Sequence, residues 1–432
     1  MRVRWRYLTC FMMIIGQGIG ANYAGANSNE LVILTTFSRE PLLPLINEFS
    51  AQHKNVDIQI VHRRTQSSIQ LINKSYNKNI DLVLSSSPFL MQHLTDSSKL
   101  AHFDNQAQTP AWLAPYILPP NDQVVTIGYS GAGLIWNTDY LATHQLPAPS
   151  AFTDLADFRY FGHITMSTPS RSGTTQLMIE SILAKYGWQQ GWRILLNVGA
   201  NLATISSRSF SVSDYVAKGQ FGIGPTIDSY AMTLEKNLDF IRFKYDDAFT
   251  LMPTYIAQIQ RAPQDQYTQA FIEFLLSKSV QANMDNSAFA KHAVNERSVF
   301  NERHTQLTMK VISERETWVN LLFELAITKR LPQLKDTWLA INHARTKFAD
   351  KPAMLAKLNE IEAKVFSIPV SEVDLAILKQ TFPRTTSGQN ESQQAAQTMA
   401  ITEASHHWKK ALAQILLQAG DELKQLNQVA TP

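Results

Sequence analysis

Three times between residues 31 and 90 a short apolar run is followed by a small polar loop and a stretch with helical apolar spacing. This alternation constrains the fold more than any other feature of the chain. Leu31 to Thr36 reads as a strand, Phe37-Ser38-Arg39 as a loop, and the stretch opened by Pro41 carries Leu42, Leu45, Ile46 and Phe49 at helical spacing. Val56 to Val61 is the next strand, followed by the loop Arg63-Arg64-Thr65-Gln66-Ser67-Ser68 and a helix through Ile69, Leu71 and Ile72. Asp81 to Leu84 is the third, running into Ser85-Ser86-Ser87-Pro88. Successive strand-loop-helix units require a parallel sheet with helices on its faces. In such a sheet the loops after the carboxyl ends of the strands line the ligand crevice, which makes Ser38, Ser67, Ser68 and Ser86 candidate contacts.

A second unit begins after Val124 to Tyr129, with Gly131, Gly133 and Leu134-Ile135-Trp136 following. His163 to Ser167 is its strand, and Thr168-Pro169-Ser170-Arg171-Ser172-Gly173-Thr174-Thr175 opens a helix carrying Leu177, Met178, Ile182 and Leu183. Ile205-Ser206-Ser207-Arg208-Ser209 precedes a short helix, and the strand Phe221 to Pro225 leads to Asp228-Ser229-Tyr230. These loops add Arg171, Ser172, Gly173, Thr174, Ser207, Arg208, Asp228 and Tyr230 to the candidates. A hydroxyl loop at a helix start offers free N–H groups, hydroxyls and the positive end of the helix dipole, and arginine adds two parallel donors. Such a set fits a carboxylate or phosphate, with Asp228 accepting a ligand hydroxyl and Tyr230 walling the site. Plain capping would use only one hydroxyl per loop.

The ends of the chain carry other signals. Arg2, Arg4 and Arg6 precede the apolar stretch Leu8 to Ile19 and the small-residue site Ala24-Gly25-Ala26, which reads as a signal peptide cleaved before Asn27. Those three arginines account for the whole formal charge of +3, so the remainder is balanced and offers no general electrostatic attraction for nucleic acid. Cys10 is the single cysteine and would leave with the signal, so the mature chain has no disulfide. With no later apolar stretch of membrane-spanning length, the expectation is an exported protein that does not span the membrane. Past residue 300 the strands stop. Trp318, Leu321, Leu322 and Leu325 form one helical stripe, Leu334, Trp338, Ile341 and Phe348 another, and Met354, Leu358, Ile361 and Val365 a third. The polar stretch Thr385 to Gln397 reads as a linker before a last helix with Trp408, Leu412, Ile415, Ala419, Leu423 and Leu426 on one face. The expected organisation is a first lobe of residues 27–125 and 240–300 and a second lobe of 126–239. A helical extension follows over 301–382, then a flexible linker over 383–397 and a terminal helix over 398–432, the last being mobile or facing a partner.

Catalytic patterns are scarce. Gly128-Tyr129-Ser130-Gly131-Ala132-Gly133 lacks the glycine two places after the serine that a nucleophile elbow needs, and His406-His407 point apart on a helix. No enzymatic activity, metal or cofactor is expected.

The ordered pieces, from Leu31 to Arg39 through Gly131-Ala132-Gly133-Leu134-Ile135-Trp136-Asn137-Thr138, Pro169 to Thr174, Gly219 to Pro225 and Ala270 to Ser277, resemble the bacterial extracellular solute-binding proteins. These are two-lobed periplasmic binding proteins of type 2, and the resemblance spans about residues 30 to 300. It implies an α/β two-lobed fold, here with a C-terminal all-helical extension, and residence in the periplasm. Within the family the chain is similar to the branch of ferric-ion, phosphonate and phosphoglycerate binders. That branch implies a small phosphoglycerate-like anion as ligand and a membrane sensor kinase or ABC permease as partner. Ferric members carry two adjacent tyrosines where this chain has Asp228-Ser229-Tyr230, too few anionic oxygens for ferric iron. A ferric-ion or phosphonate importer component is the alternative, and a secreted α/β hydrolase using a cleft serine is the alternative of another class.

Overall fold

The computed structural model describes residues 29–73, 79–103, 110–119, 121–260, 266–296, 304–381 and 391–429. The signal-peptide reading of residues 1–26 lies outside them. The chain builds β1 (Glu30–Thr35), α1 (Leu43–Gln52), β2 (Asp57–His62), α2 (Thr65–Asn73), β3 (Leu82–Ser85), α3 (Pro88–Asp96) and β4 (Val124–Ser130). It then crosses into β5 (Ala132–Asn137), α4 (Thr138–Thr143), β6 (Ile164–Ser167), α5 (Gly173–Tyr186), α6 (Trp188–Asn201), β7 (Leu202–Ser206), α7 (Ser209–Ala217), β8 (Ile223–Ile227), α8 (Asp228–Asn237) and β9 (Ile241–Tyr245). A return crossing gives β10 (Met252–Gln258), α9 (Gln266–Leu276) and α10 (Lys278–Ala282), and among the described residues five further α-helices follow: α11 (Met309–Ala326), α12 (Leu331–Lys347), α13 (Pro352–Val365), α14 (Glu372–Thr381) and α15 (Glu391–Val429).

Two five-stranded sheets result, ordered β2-β1-β3-β10-β4 and β7-β6-β8-β5-β9. β1 pairs in parallel with β2 and β3, as the repeated strand-loop-helix units require, while β10 enters antiparallel between β3 and β4. In the second sheet β6 is parallel to β7 and β8, and β5 is antiparallel to β8 and β9. Side chains alternate across β1: Leu31 and Ile33 pack with α1 and α9, while Val32 and Leu34 join a larger core that continues into the second lobe and the extension.

The lobe boundaries differ from those expected at residues 125 and 240. The first crossing falls at Gly131, because β4 is held to β10 in the first sheet, and the second falls between Tyr245 and Met252, because β9 pairs with β5. At the first crossing Gly133 admits no side chain, since a Cβ there would lie 2.0 Å from the Lys244 carbonyl oxygen.

The extension packs on the second lobe and reaches the first. α12 packs on α6, and α11 touches both α5 and α3. Arg315 of α11 donates through Nε and Nη2 to Glu180 Oε2 of α5, at 2.8 and 2.6 Å, with both side chains buried. Trp338 Nε1 donates to Asn201 Oδ1 at 2.8 Å, and Trp188 Nε1 to the Val370 carbonyl at 3.0 Å. Two expectations for the tail are corrected. Residues 391–397, read as linker, are the first turns of α15, and residues 383–390 lie outside the described ones. The last helix is packed rather than mobile. It buries Trp408, Leu412, Ala419, Leu423 and Leu426 against α11, α12 and α13, and Trp408 meets Trp318 edge to face with centroids 5.9 Å apart. Its polar first turns hide the helix from a reading by composition, and one apolar stripe is enough to dock it on neighbours whose own stripes face the same way.

Candidate functional site

The loops following β1, β2 and β3 meet those following β6, β7 and β8 in a narrow cleft between the sheets, of about 30 Å³. Helix starts converge on it. Ser172 caps α5, its Oγ accepting from the Thr175 N–H at 3.2 Å and sharing a 2.8 Å hydrogen bond with Thr174 Oγ1. Ser87 caps α3 from the opposite lobe by accepting from the Leu90 N–H at 3.2 Å. These two helix starts nearly touch, since a Cβ on Gly173 would lie 2.7 Å from the Ser87 Cβ. α7 begins at Arg208 with no side-chain cap.

Arg64, Arg171 and Arg208 line the cleft together with His62, and among the described residues no carboxylate does. Arg208 reaches across from the second lobe and donates from Nη1 to His62 Nδ1 of the first at 3.0 Å. Burial and the neighbouring Arg208 guanidinium push the His62 imidazole below its usual range, so it stays neutral and can accept that bond. Tyr230 closes the cleft from the second lobe with its hydroxyl bonded to Ser38 of the first, and burial drives its ionisation well upward. The cleft is therefore shut by bonds between lobes, and it concentrates positive charge and helix N-termini on a small polar space.

The structure brings Ser86, Arg171, Ser172, Gly173, Thr174, Arg208 and Tyr230 to this cleft, with Ser38 on its edge beside Tyr230. Four expected contacts lie elsewhere. α2 begins at Thr65, so Ser67 and Ser68 sit inside the helix, and Ser68 Oγ donates back to the Arg64 carbonyl at 3.0 Å. Arg64 and Thr65 take the cleft positions instead. Ser207 is exposed, and Ser209 lines the cleft in its place. Asp228 is engaged by the protein: its Oδ2 accepts from the Gly131 N–H at 2.6 Å, Tyr245 hydroxyl at 3.1 Å and His292 Nε2 at 3.0 Å, and its Oδ1 accepts from the Ser229 N–H at 2.6 Å. That carboxylate ties the β4–β5 crossing to the segment around His292 and has no role left for a ligand hydroxyl. His62 and Arg64 were within reach of the rule that selected Ser67, because they flank the carboxyl end of β2. The aromatic walls Phe37 and Phe210 carried no such signal.

The extension braces the site from behind. Glu324 of α11 accepts from Ser170 Oγ at 2.6 Å, and Ser170 in turn shares a 2.9 Å hydrogen bond with Thr168, fixing the loop that presents Arg171.

A polar cleft between two α/β lobes, joined by antiparallel crossings and shut by bonds from one lobe to the other, defines a two-lobed ligand-binding protein. The chain belongs to the family described as bacterial extracellular solute-binding protein, whose pattern matches residues 77–316. It is 36% identical over 356 residues to the phosphoglycerate transport regulatory protein PgtC of Salmonella typhimurium, covering 80% of this chain and 87% of that one. Among solved structures, the fold is similar to the periplasmic binding protein AfuA from Actinobacillus pleuropneumoniae with fructose-6-phosphate bound, at a TM-score of 0.62 and 15% identity over 69% of this chain and 98% of that one. It is likewise similar to the apo ferric ion-binding protein A of Pasteurella haemolytica, at a TM-score of 0.56 and 13% identity over 68% and 97%. Among the described residues no helix is long and apolar enough to cross a membrane.

Proposed function

We propose that this protein is an exported periplasmic binding protein, without enzymatic activity, for a small phosphorylated acid of the phosphoglycerate kind. Its closed form is what a membrane sensor kinase or ABC permease reads. The observation that carries this reading is the convergence of Arg64, Arg171 and Arg208 with the starts of α3, α5 and α7 on a cleft free of carboxylates among the described residues. In this reading Arg171 and Arg208 neutralise the phosphoryl group, while Ser86, Ser172, Thr174 and the amides around Gly173 fix its orientation. Ligand bridging both lobes stabilises the closed arrangement and shifts the equilibrium toward it. The similarity to a phosphoglycerate transport regulatory protein supports the choice of ligand and of a regulatory partner.

The donor set argues against ferric iron, which wants anionic oxygens: Asp228 is engaged by four protein donors and burial keeps the Tyr230 phenol protonated. A hydrolase would need an imidazole on a cleft serine, whereas the His62 Nδ1 partner is Arg208. The test is calorimetry with 3-phosphoglycerate, inorganic phosphate and ferric citrate. Saturable binding of 3-phosphoglycerate without turnover is expected, and Arg171→Ala should weaken it by about 2 to 4 kcal/mol. Unchanged affinity in both Arg171→Ala and Arg208→Ala would overturn the reading.

A further inference from the structure

Beyond Phe37, Phe210 and Tyr230, which wall both spaces, the cleft continues into a second cavity of about 270 Å³. Among the described residues its only cation is Lys291, which is 2% exposed. Lys291 Nζ donates to Ser130 Oγ at 2.9 Å and to Ser229 Oγ at 3.1 Å, and it lies over the rings of Phe37 and Phe289 at 5.0 and 5.4 Å from their centroids. Among the described residues no carboxylate stands within ion-pair distance of it; the two serines take two of its three N–H groups, and the Asp228 charge acts on it only from further off. An ammonium group has three donors, and burying one whose nearest counter-charge, Asp228, is held by other donors is costly. The two ring faces offset part of that cost, since a cation is attracted to an aromatic face.

We propose that Lys291 is a second anion contact, taking the carboxylate of a ligand whose phosphoryl group rests on Arg171 and Arg208. This rests on the function proposed above and narrows it, since the ligand class becomes a molecule with two anionic groups at opposite ends. The two carboxylates that line the cavity, Glu40 and Asp214, are exposed at its rim, where water screens them, whereas Lys291 acts at a dry floor. Burial lowers the Lys291 ammonium to about 8, so it is still largely charged at neutral pH and able to meet an anion. Its hydroxyl partners come from the end of β4 and the start of α8, one from each lobe, so a carboxylate bound there is gripped at the crossing that closure moves.

The experiment compares 3-phosphoglycerate with glycerol 3-phosphate, in which a hydroxymethyl group replaces the carboxylate, by calorimetry on the full chain. The wild type should prefer 3-phosphoglycerate. In Lys291→Met that ligand should lose about 30-fold or more, down to the affinity of glycerol 3-phosphate, which stays unchanged. Arg171→Ala should weaken both ligands alike. If Lys291→Met weakens both equally, or leaves their ratio unaltered while Arg171→Ala still lowers both, Lys291 is only a tie at the crossing and the inference fails alone. If the wild type binds neither ligand, or Arg171→Ala and Arg208→Ala change nothing, the underlying function falls with it. A readout without any variant is the pH profile: free Lys291 loses its proton above about 8, so 3-phosphoglycerate affinity should fall from there upward while glycerol 3-phosphate affinity holds. Parallel profiles for the two ligands would overturn the inference even if the variant failed to fold.

Discussion

Gly173 gives a direct test of whether binding requires the lobes to meet as they do here. A Cβ added at this position would lie 2.7 Å from Ser87 Cβ, 3.0 Å from Ser87 Oγ and 3.1 Å from Ser87 Cα, so its three nearest neighbours all belong to the opposite lobe. Within its own lobe Gly173 is the first residue of α5, a position where alanine is a better helix former than glycine. Gly173→Ala should therefore leave the unliganded protein as stable as before and penalise only the closed form. Overpacking of this kind costs about 1 to 3 kcal/mol. Because that cost is subtracted from ligand-driven closure, 3-phosphoglycerate affinity should fall about 5- to 150-fold, at about 1.4 kcal/mol per factor of ten. Calorimetry gives the affinity, thermal denaturation without ligand gives the stability, and small-angle scattering with saturating ligand reports whether the lobes stay further apart. Removing the obstructing side chain with Ser87→Gly in the same protein should restore most of the affinity, since glycine is a tolerable cap for α3. Unchanged affinity in Gly173→Ala would refute the view that the ligand is held by this closed arrangement. A matching loss of unliganded stability would instead place the strain inside the second lobe.

Two predictions concern the extension. Arg315→Met leaves the fully buried Glu180 without its partner, which should cost about 3 to 5 kcal/mol, and a second change, Glu180→Gln, should recover part of it; an unchanged melting temperature in the single variant would show that the pair does not anchor α11. Deleting residues 391–429 uncovers the apolar faces that α15 covers on α11, α12 and α13, including Trp318, and should lower the melting temperature sharply; a melting curve like that of the full chain would mean that α15 is not part of the core.

Features that depend on periodicity and on loop chemistry near in the chain are legible in the residues alone. The parallel β1, β2 and β3 follow from three successive strand-loop-helix units, and placing Ser86, Arg171 and Arg208 at one edge follows from the rule that loops after strand carboxyl ends line the crevice. The amphipathic stripes of α11, α12 and α13 were likewise visible as spacing. Features that depend on which surfaces meet appear only once the chain is folded. Nothing local marks Met252–Gln258 as the strand that inserts antiparallel between β3 and β4, and so the crossings lie at Gly131 and beyond Tyr245 rather than at residues 125 and 240. α2 begins at Thr65, four residues before the expected Ile69, which puts Ser67 and Ser68 inside the helix and leaves Arg64 and Thr65 at the cleft, since side-chain direction on a helix changes by about 100° per residue. Asp228 reads as a ligand contact from its loop, yet three donors distant in sequence, Gly131, Tyr245 and His292, claim its carboxylate. Lys291 stands in no motif. Only the fold sets its ammonium between two serine hydroxyls and two phenylalanine rings, because burial and charge pairing are properties of the assembled lobes and not of any segment.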